Sequence, residues 1–472
     1  MSQKKTKIIC TMGPATDNIA VLEKMVKAGM DVARINMSHG VHEDQAKRIA
    51  MVKKVREELG VPVAILLDTK GPEVRVKTFK EGSVELKEGD KFILTPENIE
   101  GDNTRVGITF PDLYKYIKKD DEILADDGNI EFCVESVNNN EIFTRVVVGG
   151  ILSNRKSLNF PDIEINMEYL SEADKKDLAF GVEQGVDFIA LSFVRQSSDV
   201  EAVRGFLESI GGTDPIIISK IENRQGVDNM DSIIDVSGGI MVARGDMGIE
   251  IHFEELPDIQ KKLIKKCYRA GKIVITATQM LESMITHPRP TRAEISDVAN
   301  AVYDGTSATM LSGETAVGKY PVESVVTMAK IIGQAEKNIN YKKRFYSLDT
   351  DVNSINDAVS HSATNAAHDL EAKAIIAITF SGDTARRISR FRPLVPIIGA
   401  TMLQRTYFQL ALSWGVIPVI TQKMDNTDDL IAHAEQCAVK TGVVKDGDLI
   451  VITAGVPVGV FGSTNMIKIQ KI

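Results

Sequence analysis

The chain is poor in cysteine and tryptophan and has no long apolar run. Four cysteines, Cys10, Cys133, Cys267 and Cys437, are scattered over 472 residues. None belongs to a C-x-x-C pair, which argues against a zinc or iron–sulfur site and fits a reducing cytoplasm. No apolar stretch reaches the roughly 20 residues that a membrane helix needs. The opening residues, MSQKKTKIICTMGP, hold too short an apolar run for a secretion signal. There is no long basic run and the net charge is −9, which weighs against general nucleic-acid binding but leaves room for local phosphate sites. Low-complexity tracts and fixed-period repeats are absent too. What remains is an ordinary globular balance, 43% hydrophobic and 26% charged. The length calls for about two to four domains.

Short β-branched apolar runs alternate with amphipathic segments from the start. Lys7–Cys10, Asp31–Asn36 and Val63–Leu67 read as buried strands, with helices at Ile19–Ala28 and His42–Leu59 between them. At Gly71–Pro72 the rhythm changes to a period near two, with frequent turn signals, and it stays so to about Asn166. Within it, Leu124–Val134 reads as a hairpin around Asp127–Gly128–Asn129. This is a small β domain set into the α/β rhythm, which then resumes. A helix at Ser171–Gln184, with Ser171 as cap and Asp174 at the capping-box position, is followed by strands at Asp187–Leu191, Pro215–Ser219, Gly239–Ala243, Lys272–Ala277 and Ser307–Leu311. One short helix is expected between the fifth and sixth strands. Eight strands alternating with helices close a (β/α)8 barrel, whose active site sits at the strands' carboxyl ends. Lys337–Asn353 reads as a polar connection. Beyond it a third unit, with too few strands for a barrel, implies an open α/β sheet.

The carboxyl ends of the strands collect polar residues. Strand two delivers Arg34, Asn36, Ser38 and His39, and strand three Asp68, Thr69, Lys70 and then Arg75. Strand five delivers Lys220 and Glu222, strand six Arg244 and Asp246, strand seven Thr276, Thr278 and Gln279, and strand eight Ser312, Gly313 and Glu314. Any isolated strand-end acid is best read as a helix cap. Glu222 and Asp246 are a better pair than that, because both follow buried strands consecutive in the chain, and Mg²⁺ prefers one or two carboxylates plus substrate oxygens. Lys220 points the same way as Glu222 along an extended chain and can hold a transferring phosphoryl group. Arg34 at the rim can fork a phosphate. Asn36, Ser38, Asp68 and Thr69 offer only oxygens, which suits a hard cation, although hydrogen-bonded turn residues are the plainer reading. Thr278 is open between a proton relay and a structural residue, and His39 between a nucleotide contact and a loop histidine.

Together the strings KTKIICTMGPAT, ARINMSHG, LLDTKGPEVR, ISKIENRQG, MVARGDMGIE, TATQMLESM, PTRAEISDVANAVYDGTSATMLSGETAVGKYP and FGSTNMIKI resemble pyruvate kinases along the whole chain. The resemblance implies an α/β fold: a (β/α)8 barrel (1–70 and 168–340), an inserted small β-barrel lid (71–167) and a C-terminal open-sheet α/β domain (341–472). It implies transfer of a phosphoryl group from phosphoenolpyruvate to ADP, giving pyruvate and ATP in the last step of glycolysis. Carried over, Lys220, Arg34 and Thr278 are catalytic. Ala243, Arg244, Gly245 and Asp246 join them around the substrate. Asn36, His39, Arg75 and Lys156 serve the nucleotide. Glu222 and Asp246 hold Mg²⁺ or Mn²⁺, and Asn36, Ser38, Asp68 and Thr69 hold K⁺. Relatives that dispense with potassium usually carry Lys where this chain has Glu73, so potassium dependence is expected. A cytoplasmic homotetramer is expected on the same ground. An aldolase-like barrel would not need the lid with Arg75 and Lys156, and intact Lys220, Glu222, Asp246 and Thr278 argue against an inactive scaffold.

TFSGDTAR (Thr379–Arg386) aligns with the family's effector loop, where Ser381, Thr384 and Arg386 would meet a phosphorylated allosteric effector. Asp383 stands where some relatives have a basic residue, and a carboxylate repels phosphate. An effector loop and an ordinary capped helix both remain open.

Overall fold

The computed structural model describes residues 4–347, 352–423, 426–457 and 464–472. Residues 461–463 of the FGSTNMIKI string, and 348–351 of the polar connection, lie outside them.

Eight parallel strands close a barrel: Lys7–Thr11, Val32–Asn36, Ala64–Asp68, Phe188–Leu191, Ile216–Ile221, Gly239–Ala243, Ile273–Ala277 and Ala308–Leu311, the last pairing with the first. Each strand is buried on both faces, as parallel strands covered by helices are. Ile9, Leu66, Phe188, Ile218, Met241 and Met310 fill the barrel interior, while Ile8, Ile35, Ile65 and Ile189 face the helices. Helix ends are fixed locally. Asn18 caps Ile19–Ala28 by accepting from Ala20 N at 2.9 Å, and Gly60, at φ +63°, stops His42–Leu59.

After the third strand the chain leaves the barrel. Strands at Val74–Arg75, Ser157–Asn159, Glu122–Ala125, Ile130–Asn138, Glu141–Val148, Lys91–Thr95 and Arg105–Gly107 form one sheet in that spatial order, and Ser83–Leu86 pairs with Gly150–Ser153 beside it. The first and last strands of the sheet also meet. Val76 bridges Ile108, Lys77 N donates to Gly107 O at 2.7 Å, and Thr109 N donates to Arg75 O at 2.9 Å. The sheet thus curls back on itself around Phe92, Phe132, Val134 and Ile142. The entering and leaving strands pair at its neck, Val74 opposite Leu158.

The C-terminal unit is a five-stranded sheet ordered Val416–Ile420, Ile397–Thr401, Ala374–Ile378, Leu449–Ala454 and Met466–Lys471. The first four strands are parallel and the last is antiparallel at one edge. Its Ala411 and Leu412 join the apolar cluster inside the barrel and plug the end opposite the rim.

Four local expectations need correction. Two short helices, Arg224–Asp228 and Met230–Val236, stand where one was expected, because Asn223 caps the first and Asn229 ends it. The polar connection contains a helix, Tyr341–Tyr346, capped by Asn340 and anchored by buried Tyr341 and Phe345. The third unit has a helix at Gln404–Gln409 and the edge strand Met466–Lys471 that the sequence reading left out. Ser171 caps its helix, but Asp174 does not close a reciprocal box: its carboxylate takes the Ser171 hydroxyl at 2.5 Å and Gly71 N at 3.1 Å, tying the helix to the point where the chain leaves the barrel.

Candidate active site

The carboxyl ends of strands two to six converge on Lys220. Its Nζ lies 2.7 Å from Ser192 Oγ, 2.9 Å from Glu222 Oε1 and 3.3 Å from Asp68 Oδ1, all buried. Asp68 also accepts from Arg34 Nε at 2.6 Å, and Arg34 Nη1 donates to Thr11 Oγ1 at 3.0 Å. Burial works against the Asp68 carboxylate, but Lys220 and Arg34 outweigh it and hold its pKa below the ordinary value. Burial likewise works against the Lys220 ammonium, and here Asp68, Glu222 and Asp246 prevail, so its pKa is raised and it stays charged. Glu222 is fully buried. Burial, reinforced by Asp246 and opposed by Lys220, pushes its carboxyl up to about 8.

Glu222 uses only one oxygen fully. Its Oε2 accepts from Phe193 N at 2.6 Å, whereas Oε1 is buried with no hydrogen-bond donor in good geometry among the described residues. Phe193 stands at φ +54°, and this left-handed turn is what aims its N–H at the acid. Asp246 lies in the first turn of the short helix Arg244–Glu250. Among the described residues no three His, Cys, Asp or Glu side chains form a metal cluster, so protein carboxylates alone do not complete a metal shell there.

Thr278 joins this helix from strand seven. Its Oγ1 accepts from Gly245 N at 2.7 Å and donates to Ala277 O at 2.6 Å. Thr278 and Gln279 have φ +66° and +52°. Two successive left-handed non-glycine residues, one of them β-branched, are strained, and such strain concentrates at functional sites. Arg244 is held by Asp297, whose two carboxylate oxygens both accept from its Nη1, at 2.8 and 2.7 Å, and its Nη2 donates to Thr278 O at 2.6 Å. It therefore braces the helix carrying Gly245 and Asp246, next to Ala243 at the end of strand six.

Asn36, Ser38, Asp68 and Thr69 cluster at neighbouring strand ends. Asn36 Oδ1 accepts from Ser38 N at 3.1 Å, and Thr69 O accepts from Ser192 Oγ at 2.7 Å. His39 is exposed, and its carbonyl accepts from Gln45 at 2.6 Å. Arg75 and Lys156 sit together in the inserted β-barrel, where Val76 N donates to Lys156 O at 2.9 Å. Arg75 pairs with Glu73 at 2.5 Å and Lys156 with Asp126 at 2.6 Å. Ser381, Thr384 and Arg386 do not share one open pocket. Ser381 is exposed, Thr384 is buried against Thr464 at 2.6 Å, and Arg386 folds back on Ser381 O at 2.7 Å. Asp383 pairs with Arg387 at 2.6 Å.

Family models for the pyruvate kinase barrel domain and the pyruvate kinase alpha/beta domain match residues 3–325 and 357–470. The chain belongs to the pyruvate kinase family. The pyruvate kinase of Clostridium acetobutylicum is 48% identical, covering 99% of this chain and 100% of that one. The Geobacillus stearothermophilus pyruvate kinase is 46% identical, over 100% of this chain and 81% of its own length. A Cryptosporidium parvum pyruvate kinase structure superposes with a TM-score of 0.94 at 37% identity, covering 99% of this chain and 96% of that one. Membership makes the chain a phosphotransferase with the pyruvate kinase activity, and its barrel, inserted β-barrel and C-terminal sheet are that family's fold.

Sequence reasoning missed two rim residues, Ser192 and Phe193. A strand-end reading of LSFV after strand four, applied as to the other strands, would have found the serine. Phe193 acts through its backbone and leaves no signal in residue type.

Proposed function

We propose that the rim around Lys220 transfers the phosphoryl group of phosphoenolpyruvate to ADP and then returns a proton to the enolate. The observation that carries this reading is the buried Lys220, held between Asp68 and Glu222 with Ser192 beneath it. A fixed, desolvated cation there stabilises charge on a loose phosphoryl group more than a mobile one in water does.

The residues present fit the two cations the family implies. Glu222 Oε1 is a buried carboxylate oxygen that Lys220 Nζ approaches to 2.9 Å without a well-aligned hydrogen bond, and Asp246 lies close enough to raise the Glu222 pKa. Two carboxylates, completed by substrate oxygens, suit Mg²⁺ or Mn²⁺. Asn36, Ser38, Asp68 and Thr69 present oxygen donors only, which suits K⁺. When bound, these ions supply positive charge opposite the phosphoryl oxygens.

The protein's own groups do the rest. Arg34 presents its guanidinium to phosphate from a position locked by Asp68 and Thr11. The first-turn N–H groups of Arg244–Glu250 other than that of Gly245, which Thr278 Oγ1 holds, serve the substrate's anionic end. Thr278 Oγ1, already in a chain with Ala277 O and Gly245 N, relays a proton to the enolate carbon, giving up its hydroxyl proton as it takes another from solvent, so that no alkoxide is left. Residues 71–167 act as a lid that brings Arg75 and Lys156 to the nucleotide and excludes water, which would otherwise accept the phosphoryl group. A cytoplasmic homotetramer is part of the same reading.

Mixing the chain with phosphoenolpyruvate, ADP, Mg²⁺ and K⁺ in a coupled pyruvate assay tests it. Pyruvate formation that drops when K⁺ is replaced by Na⁺ or a bulky cation is expected. No pyruvate overturns the reaction, and indifference to the cation overturns the potassium site.

A further inference from the structure

A cavity of about 120 Å³ lies at the neck of the inserted β-barrel. Leu158 and Asn159 line it from the neck strand, Ile165 and Met167 from the segment that returns to the (β/α)8 barrel, and Phe193 and Glu250 from that barrel. An apolar cavity of roughly 150 Å³ takes up benzene, so a compact organic molecule of a few heavy atoms fits this one. Lys220, Glu222, Asp246 and Thr278 are not among its lining residues, so it is separate from the candidate active site.

The polar part of the wall has an unfilled acceptor and an excess of acid. Asn159 is only 7% exposed. Its Nδ2 donates to Glu250 Oε1 at 2.7 Å, which fixes the orientation of the amide, and its Oδ1 is then buried with no donor among the described residues. A buried acceptor left unfilled costs free energy that a ligand's donor recovers. The cations of the wall are already engaged. Arg224 meets Glu255 at 2.6 Å and Asp162 at 3.1 Å, and Arg195 meets Asp199 at 3.4 Å and the Ile165 and Met167 carbonyls. Glu73 has its own partner in Arg75, at 2.5 Å. Glu164 and Glu250 also line the cavity, and neither makes an ion pair among the described residues. Burial, opposed by the Asn159 hydrogen bond, pushes the Glu250 carboxyl up to about 7, as befits an acid without a counter-charge. A primary ammonium brings three donors and the missing positive charge.

We propose that this cavity binds a small organic ammonium, its charged end on Glu250 and Asn159 Oδ1 and its hydrocarbon end against Leu158, Ile165, Met167 and Phe193. A bare inorganic cation leaves the apolar wall and most of the volume unused, whereas a short alkyl chain gains by covering them. Asn159 belongs to the inserted β-barrel and Glu250 to helix Arg244–Glu250. An occupant therefore touches both units at once and adds to the single hydrogen bond that joins these two residues.

The test uses the intact chain with Mg²⁺ and K⁺ in excess, so that cation sites at the rim are filled alike in every arm. n-Butylammonium, ammonium ion and 1-butanol are titrated separately by calorimetry at matched ionic strength. n-Butylammonium should bind roughly tenfold more tightly than 1-butanol, which lacks the charge, and than ammonium, which lacks the hydrocarbon. Crystals soaked in n-butylammonium should show it between Asn159 and Glu250. Glu250→Gln, which keeps an acceptor and removes the charge, should weaken binding by roughly tenfold. Asn159→Ala, which removes the unfilled acceptor, should weaken it by a smaller factor. Should Glu250→Gln not fold, Asn159→Ala and the soaked crystals decide. Ammonium binding as tightly as n-butylammonium shows an inorganic-cation site, and 1-butanol binding as tightly shows an apolar pocket only; either overturns the proposal. A cavity holding water alone in the soaked crystals, or equal affinities in wild type and both variants, overturns it as well.

Discussion

Lys220 and Ser192 are joined by a 2.7 Å hydrogen bond in which the serine accepts, and the same hydroxyl donates to the Thr69 carbonyl, also at 2.7 Å. One oxygen therefore connects the ammonium proposed to meet the phosphoryl group to the oxygen shell proposed for potassium. Ser192→Ala is expected to lower kcat about tenfold, in line with the loss of a hydrogen bond to a charged group, and to raise the potassium concentration needed for half-activation. Ser192→Thr keeps the hydroxyl and should recover part of both. Steady-state rates at several K⁺ concentrations check this; a potassium response identical in Ser192→Ala and wild type would break the connection.

Lys220 itself is expected to serve only one half of the reaction. Lys220→Met should reduce phosphoryl transfer by roughly 10²–10³-fold, the scale of losing one preorganised electrostatic contact. Exchange of the methyl protons of added pyruvate, followed by NMR in deuterium oxide, should stay measurable because Thr278 is untouched. Loss of both activities together would contradict the division of labour.

Glu222 gives the site a pH signature. Its folded-state pKa, about 8, stands above the ordinary 4.5. In the metal-free protein its contribution to stability is thus complete below about pH 4.5 and is lost as the pH rises through about 8. A metal ligand must be deprotonated, so magnesium binding at pH 7 should release close to one proton, and apparent affinity should rise with pH up to about 8. Calorimetric titrations in two buffers of different ionisation enthalpy measure the proton directly. Binding without proton release would show that Glu222 is already ionised.

The inserted β-barrel is latched to the far end of helix Arg244–Glu250. Asn159 Nδ2 donates to Glu250 Oε1 at 2.7 Å, and burial pushes the Glu250 carboxyl up to about 7. Nearby, Arg224 binds Asp162 and Glu255, and Arg195 holds the carbonyls of Ile165 and Met167 at 2.9 and 2.8 Å. Glu250→Ala should raise the KM for ADP about tenfold, the scale of one lost charged hydrogen bond, while the KM for phosphoenolpyruvate changes little. Glu250→Gln, which keeps an acceptor for Asn159, should restore most of the ADP affinity. Parallel loss of affinity for both substrates would mean that Glu250 merely supports the barrel.

The residues readable from sequence are those whose role is written in residue type at a predictable place. Buried parallel strands are β-branched runs that stop at charged residues, so all eight barrel strands and the Lys220–Glu222–Asp246 group stood out. The hairpin around Asp127–Gly128–Asn129 was visible because its turn residues tolerate left-handed backbone, and Asp127 and Gly128 have φ +56° and +82°. Contacts made by backbone shape or across long separations were not. Phe193 reaches Glu222 through its N–H, Thr278 is strained rather than polar in an unusual way, and Arg244 finds its partner Asp297 53 residues on, in helix Arg292–Asp304. The edge strand Met466–Lys471 has no fully buried residue, and Ile469 is well exposed, so it lacked the apolar run that marked the others.

The neck of the inserted β-barrel has a wider consequence. Val74 and Leu158 face each other, and the sheet between them closes on itself through Val76 and Ile108. Entry and exit are thus one strand spacing apart, and the unit carries its own hydrogen bonds and its own apolar interior. For the host barrel, ninety-odd residues occupy the same footprint as a tight turn (roughly two strand widths at the neck). Such a module can be gained, lost or exchanged between strand three and the following helix without redesign of either partner. It can be recombined between relatives as a cassette whose only fixed points are its two ends.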